Sequence, residues 1–508
     1  MAILSGLLLT ASFPKMGLSL LAWFALVPLL FSLKDLCLKK SFILGFTTGL
    51  VHYITLLYWF APTMNTYGNI PLLVCVFVLV LASAFLSLYL ALFSAIISGC
   101  YSRPAICVFI IPALWVSFEY IRSLVFLGFP WEIMGYSQYN NLLLIQISDI
   151  SGVYGVSFLI ALSNTTIFLT VSCLTQKNCE RKTATRKVAF GSVTVFFLIL
   201  AFVFFYGKWK IDSIDKLVDS SPSILAAVIQ GNINQAVKWN PDFQHSTTKK
   251  YIDLSILSKS DKPDLVVWPE TATPFYFRYN TSLSNMIIKA IKKTDCYFII
   301  GSPSFISKKG VVDYYNTAYL ISPDGNICGK YDKVRLVPFG EYIPFNKWLP
   351  FIGKIVEGVG DFKPGVKGKT IKWNDFSLGL QICYEIIFPG LSRAMVKNNA
   401  NLLVNITNDA WFGLTSAPYQ HFSMSIFRAV ENRRALIRSA NTGISGFIDP
   451  AGRIIAKTNL FEEAAITRSI PLIQMKSFYT RFGDLFAIAC VIVTVICFVL
   501  KYVYNNKL

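Results

Sequence analysis

Two textures of hydrophobic patterning divide the chain. Up to about residue 207, apolar runs are long and nearly unbroken. The candidate spans lie near 2–13, 18–33, 41–61, 70–98, 104–124, 152–174 and 188–206, with another near 484–500; the first is short, and several of the others approach or exceed the roughly 20 residues a helix needs to cross a bilayer. From Ser223 the runs shorten and turn signals separate them. ILAAVIQ (224–230), DLVVWPE (264–270), YFIIGS (297–302), NTAYLIS (316–322), FSLGLQIC (376–383) and NLLVNIT (401–407) read as strands. Ser246–Leu257, Leu283–Lys293 and Gln420–Arg438 read as helices, and SPDG (322–325) and DPAG (449–452) as hairpin turns. Strands alternating with helices predict a layered α/β domain. The expected organisation is a membrane domain over 1–207, an α/β domain over 208–483, and a last span with a short tail over 484–508, with about eight spans in all.

Composition supports a membrane protein. Hydrophobic residues make up 54% and charged residues 15% of the 508, against about 25% charged in soluble domains. The first run resembles a signal-peptide core but lacks a basic start, so it reads as a retained helix. Lys34–Lys40, the turn with Arg103, and the cluster from Lys177 to Lys187 fall on one side if the chain starts in the cytoplasm and crosses one run at a time. The positive-inside rule makes that side cytoplasmic and places 208–483 outside it. The chain's net charge is +19, and the part of that excess within residues 208–481 is spread without dense basic runs, which argues against a nucleic-acid arm and suits a domain held beside anionic lipid. Eleven scattered cysteines without a CxxC pair and three distant histidines indicate neither a disulfide framework nor a metal site. GVKGKT (365–370) imitates the end of a phosphate loop, but Lys363 stands where its first glycine belongs, so no nucleotide is expected. Glu119 and Arg122, one helical turn apart near the end of a span, read as a self-satisfying structural pair.

Three reactive residues follow strand ends: Glu270 after DLVVWP, Lys333 in GKYDKVRLVPFGEYIP, and Cys383 closing FSLGLQIC. Loops at the carboxyl ends of strands build ligand sites in α/β sheets, so the three are placed to converge. Alone, each also fits a structural role: Glu270 a helix cap, Lys333 a solvated hairpin lysine, Cys383 an inert core thiol. Together they supply a general base, a cation for a developing oxyanion and a soft nucleophile, the set that acyl transfer through a thioester needs. A turn between strand and helix would set Cys383 near a helix N-terminus, whose dipole favours thiolate.

These motifs carry a resemblance. WPE with Glu270, YDKxxLVPFGEYIP with Lys333 and ICYEIIFP with Cys383 resemble the Glu-Lys-Cys signatures of the nitrilase, or carbon-nitrogen hydrolase, superfamily. With the multispan N-terminal region and a C-terminal span, the whole chain resembles its membrane-bound branch, the bacterial apolipoprotein N-acyltransferases. NITNDAWFG (405–413), RAVENRRALIRSANTGISGFIDPAGR (428–453) and the VIQGNINQAVKW run to Trp239 are similar too. The resemblance implies an αββα sandwich on the periplasmic face of the inner membrane. It implies transfer of an acyl chain from a phospholipid, through a thioester on Cys383, to the N-terminal amine of a diacylglyceryl-cysteine apolipoprotein, without metal or cofactor. It casts Glu270 as base, Lys333 as oxyanion stabiliser, Glu341 and Glu385 as carboxylates near the site, Tyr384 as a backbone N–H donor and Trp239 as lining of the substrate path. The aromatic stretch Phe339–Phe362 reads as a lid at the lipid interface. The alternatives are a membrane-bound amidase using the same triad with water as acceptor, and a lipoprotein-binding component with a vestigial triad.

Overall fold

The computed structural model describes residues 1–99, 104–125, 128–175, 179–308, 310–343 and 361–505. Arg103, Lys177 and residues 344–360 of the expected lid lie outside these. The chain divides into two compact units, one of Met1–Pro62, Pro71–Ile211 and Phe482–Leu508, the other of Thr63–Ile70 and Asp212–Arg481.

The first unit is helical. Leu72–Ser98, Ala105–Leu124, Val153–Leu174 and Arg186–Asp219 are each long and apolar enough to cross a membrane, and Leu38–Leu56 with Phe60–Gly68 forms a further candidate bent by 47°. The remaining expected spans are shorter apolar helices: Ala2–Ala11, the broken pair within Ser19–Ser32, and Leu485–Leu500. Pro14 and Pro28 stand where the first two runs lose helical continuity, as a missing N–H requires. Outward-facing Leu73, Phe77 and Phe205 are largely exposed, which suits lipid contact and not water. Close packing comes from small residues. Gly45 and Gly49, four apart on Leu38–Leu56, face Ser94 and Ser87 of Leu72–Ser98, and a Cβ on Gly49 would lie 2.8 Å from the Ser87 Cα. Glu119 and Arg122 are both buried. Their hydrogen bonds go to the following loop: the Met134 N–H donates to Glu119 Oε1 at 2.7 Å, and Arg122 Nη1 donates to the Trp131 carbonyl at 3.1 Å. Both therefore hold the loop 131–134 in place.

Among its described residues the second unit has twelve strands: β1 (Ser223–Gln230), β2 (Leu265–Val267), β3 (Tyr297–Lys308), β4 (Val311–Ile321), β5 (Ile327–Asp332), β6 (Ile371–Trp373), β7 (Phe376–Ile382), β8 (Leu402–Thr407), β9 (Leu436–Ala440), β10 (Gly446–Ile448), β11 (Ile454–Lys457) and β12 (Ala464–Pro471). They form two six-stranded sheets, ordered β12-β1-β2-β3-β4-β5 and β11-β10-β9-β8-β7-β6. In each, three central strands run parallel, β1-β2-β3 and β7-β8-β9, with antiparallel neighbours. The sheets face each other. The Ser439 hydroxyl of β9 reaches across to the carbonyls of Ile229 and Val267 at 3.2 and 3.0 Å. Strands buried on both faces read as continuous apolar runs, which is why β2, β7 and β8 stood out in the sequence.

Helices cover the outer faces. Pro241–Leu257 and Thr281–Thr294 pack a core of Tyr251, Ile287, Ile291, Trp268 and Phe298 onto the first sheet. The Tyr251 ring stacks on Trp268 at 5.1 Å, and the Trp268 indole donates to Ser255 Oγ at 2.8 Å, so the buried N–H is satisfied. Pro389–Lys397 and Ala417–Asn432 cover the second sheet. The layers are thus helix, sheet, sheet, helix. One element departs from the sequence reading. The expected helix Gln420–Arg438 ends at Asn432, Arg433 turns left-handed with φ 51°, and 436–440 is strand β9. Both proposed hairpin turns are found, joining β4 to β5 and β10 to β11.

Candidate active site

β2, β5, β7 and β8 deliver their following loops to one end of the sandwich, so residues far apart in sequence meet. Glu270, three residues beyond β2, is buried, and each of its carboxylate oxygens is held. Oε1 accepts from Asn316 Nδ2 at 2.8 Å and from Lys333 Nζ at 3.4 Å, and Oε2 accepts from the Asn408 N–H at 3.0 Å. The next residue, Thr271, has φ 50°, a strained conformation for a β-branched residue. A Cβ on Gly301 of β3 would lie 2.6 Å from the Thr271 nitrogen, so the glycine is what lets the strand pass beneath this turn.

Lys333, directly after β5, is 1% exposed and donates to Glu341 Oε1 at 3.0 Å as well as to Glu270. Burial pulls its pKa down, but the carboxylates of Glu341 and Glu270 outweigh that and raise it, so the ammonium is charged at every relevant pH. Asn316 Nδ2 also donates to Glu341 Oε1 at 2.9 Å, and the Val337 N–H donates to Glu341 Oε2 at 2.8 Å. Glu341 is therefore a structured partner of the lysine.

Cys383 follows β7 with φ 54° and starts the short 3₁₀ turn Cys383–Ile387. The turn sharply redirects the chain, as in a nucleophile elbow. The electrostatic expectation changes, however. The α-helix begins only at Pro389, too far for its dipole to act on the sulfur. Burial and the Glu270 carboxylate push the thiol up to about 12, with Lys333 pulling the other way. At rest the group is a thiol whose proton is held in part by the Glu270 carboxylate acting on it electrostatically.

Behind the cysteine lies a buried polar layer. Asn405 Nδ2 donates to the Cys383 carbonyl at 3.3 Å, Arg438 Nη1 donates to Asn405 Oδ1, and Arg438 Nη2 bonds Asp409 Oδ2 at 2.8 Å. Burial alone would raise the Asp409 pKa, but Arg438 and His421 hold it far below the usual carboxylate range. This layer fixes the peptide of Cys383 in its left-handed conformation.

Glu385 is fully buried and surrounded by donors: the N–H groups of Ile382 (2.8 Å), Val334 (2.6 Å) and Arg335 (3.0 Å), and the Tyr331 hydroxyl (3.0 Å). It ties the elbow to the segment carrying Lys333. Burial pushes its pKa up to about 7, against the pull of those N–H groups. Because this exceeds the ordinary 4.5, the native state holds a proton that the unfolded chain releases, so stability falls as pH rises from about 4.5 to 7. Glu385→Gln removes that slope. It also turns an NH₂ toward donors, so the melting temperature in detergent should fall by an amount equivalent to about 1–3 kcal/mol at neutral pH. Unchanged melting and an unchanged pH slope would contradict this role.

Tyr384 packs edge-on to Phe388 at 5.0 Å. Trp239, 39% exposed, borders a cavity of about 400 Å³ with Phe275, Tyr276, Tyr279 and Pro303. The three expected catalytic residues, Glu341 and Glu385 thus share one cluster, while Trp239 borders this cavity. Sequence reasoning missed Asn316, Asn408, Tyr331 and Lys238. Their roles depend on neighbours tens of residues away; Asn408 in NITNDAWFG, Tyr331 in GKYDKVRLVPFGEYIP and Lys238 in VIQGNINQAVKW lay inside motifs already singled out, but the motifs did not say what these side chains touch.

Among the described residues no group of His, Cys, Asp and Glu is arranged to hold a metal ion. Two family models match the chain: the apolipoprotein N-acyltransferase N-terminal domain over residues 5–166 and carbon-nitrogen hydrolase over 225–479. An apolipoprotein N-acyltransferase of Geobacter metallireducens is 44% identical over 97% of this chain and 92% of its own length. One from Chlorobaculum tepidum is 30% identical over 96% and 93%. Among solved structures, an amidase from Nesterenkonia sp. AN1 aligns at 17% identity over 51% of this chain and 93% of its own, with a TM-score of 0.37. Nit3 of Saccharomyces cerevisiae aligns at 19% identity over 49% and 90%, with a TM-score of 0.39.

Proposed function

This chain belongs to the apolipoprotein N-acyltransferase family, and on that premise we propose that it moves one acyl chain from a membrane phospholipid to the N-terminal amine of a diacylglyceryl-cysteine lipoprotein, with Cys383 as carrier. The observation that carries this reading is the cluster of Glu270, Lys333 and Cys383 in a chain that also holds bilayer-length apolar helices. A soluble amide substrate would not require those helices, whereas an acyl donor dissolved in the bilayer does.

In the first half-reaction Glu270 takes the thiol proton as Sγ attacks the ester carbonyl of the phospholipid. Lys333 and the Tyr384 N–H stabilise the oxyanion. The ester C–O bond breaks, Glu270 returns the proton to the departing oxygen, and lysophospholipid leaves. In the second, the acceptor amine attacks the thioester, Glu270 takes a proton from nitrogen, and the C–S bond breaks. The thiolate recovers that proton as the amide is released. Glu341 neutralises Lys333 between turnovers, and Trp239 lines the way in.

About eight crossings place the catalytic unit on the periplasmic face of the inner membrane in this reading. Domain limits near 207 and 483 follow from it.

Protein reconstituted in phospholipid vesicles and given a diacylated lipopeptide should yield a lipopeptide heavier by one acyl group and an equal amount of lysophospholipid by mass spectrometry. Release of free fatty acid at the same rate with and without lipopeptide would replace this reading with a hydrolase.

A further inference from the structure

Lys238 lies outside the triad and has no part in the reaction as written above. It is 1% exposed, and its Nζ donates to the main-chain carbonyl of Glu270 at 3.1 Å. That carbonyl belongs to the peptide leading into Thr271, the residue held at φ 50°. A β-branched residue leaves this region unless its surroundings hold it there. The surroundings are visible. Gly301 allows β3 to approach the turn from below, the Asn408 N–H grips the carboxylate, and Lys238 grips the carbonyl. The segment that carries Lys238 is itself fixed by Gln235, whose Oε1 accepts from Asn408 Nδ2 at 2.6 Å. The same Asn408 thus connects the lysine's segment to the carboxylate of Glu270.

We infer that Lys238 is a positioning residue for the base: its ammonium pins the strained Glu270–Thr271 peptide and so fixes the direction in which the Glu270 carboxylate points. This rests on the reading of Glu270 as base. A neutral amine would hold the carbonyl less strongly, since a charged donor makes the stronger hydrogen bond. Burial lowers the pKa of Lys238 to about 8, opposed by Glu270 and Cys383, the two titratable groups that act on it. Lys333, which reaches the same carboxylate from β5, stays charged throughout. The hold on Glu270 therefore weakens as pH rises through about 8.

The test is acyl-enzyme formation on Cys383 in phospholipid vesicles without acceptor, followed by mass spectrometry from pH 6 to 10. Wild type should lose rate above about pH 8. Lys238→Arg, which stays charged, should keep the neutral rate and lose that decline. Lys238→Met should acylate roughly tenfold or more slowly at pH 7, the scale expected when a catalytic group is slightly misplaced. A wild-type rate in Lys238→Met, or an alkaline decline unchanged in Lys238→Arg, overturns the inference. If Lys238→Met does not melt like wild type, the Lys238→Arg profile decides alone. Glu270→Gln, run alongside, separates the two claims. Should it acylate at the wild-type rate, the base reading fails; should it be slow while both Lys238 variants match wild type, only the positioning role fails.

Discussion

Replacing Cys383 by alanine removes essentially all acyl transfer, at least about 10⁴-fold, because the covalent route vanishes with the sulfur. Fold and membrane insertion should survive. The side chain is small, the turn is held through its carbonyl by Asn405 and through Glu385, and none of those bonds uses the thiol. The melting temperature of Cys383→Ala should stay within a few degrees of wild type while product falls to background. Lipoprotein binding should persist, so the variant separates a covalent catalyst from a binding protein with a vestigial site. Measurable N-acylation by Cys383→Ala would remove the thioester from the account.

The second large effect is less intuitive. Glu270→Gln should slow acyl-enzyme formation about 10²–10⁴-fold, the usual contribution of a positioned general base. The same change should make the resting thiol more acidic. The Glu270 carboxylate is among the causes that hold Cys383 up to about 12, and removing it leaves Lys333 acting with less opposition. Alkylation of Cys383 by iodoacetamide, followed against pH, should therefore shift its midpoint downward while catalysis falls. A variant with more thiolate and less activity would show that proton transfer in the complex, and not resting thiolate, drives the reaction. If the alkylation midpoint rises instead, the electrostatic picture of the site is wrong.

How much of this was legible without coordinates differs by element. The strands buried on both faces announced themselves as apolar runs, and their ends gave Glu270 and Cys383 directly. Edge strands β6, β11 and β12 were not read, since half-polar segments on a sheet margin have no such signature. The segment 433–438 looked helical because its arginines continued the spacing of Ala417–Asn432. What ends the helix is Arg433 in the left-handed region, and what makes the next strand tolerable is Arg438 finding Asp409 inside. A buried arginine reads as surface until its partner is known. The thiol's state was misjudged for a similar reason. A helix start can be inferred from local sequence, but the burial that raises the thiol most, and the Glu270 carboxylate that adds to it from a strand more than a hundred residues away, exist only in the folded chain. Asn316 and Lys238 act on Glu270 from 46 and 32 residues' distance, so even Lys238, inside the VIQGNINQAVKW run, could not be assigned its partner from sequence.

The central claim is that Cys383 carries an acyl group taken from the bilayer. The most direct measurement is the intact and peptide mass of the protein extracted from its membrane, without acceptor, and digested under mildly acidic conditions. The account predicts a fraction of the Cys383 peptide heavier by one fatty acyl group, lost on hydroxylamine treatment and absent from Glu270→Gln. An unmodified Cys383 after incubation with phospholipid, or an acyl group on any other residue, would contradict it.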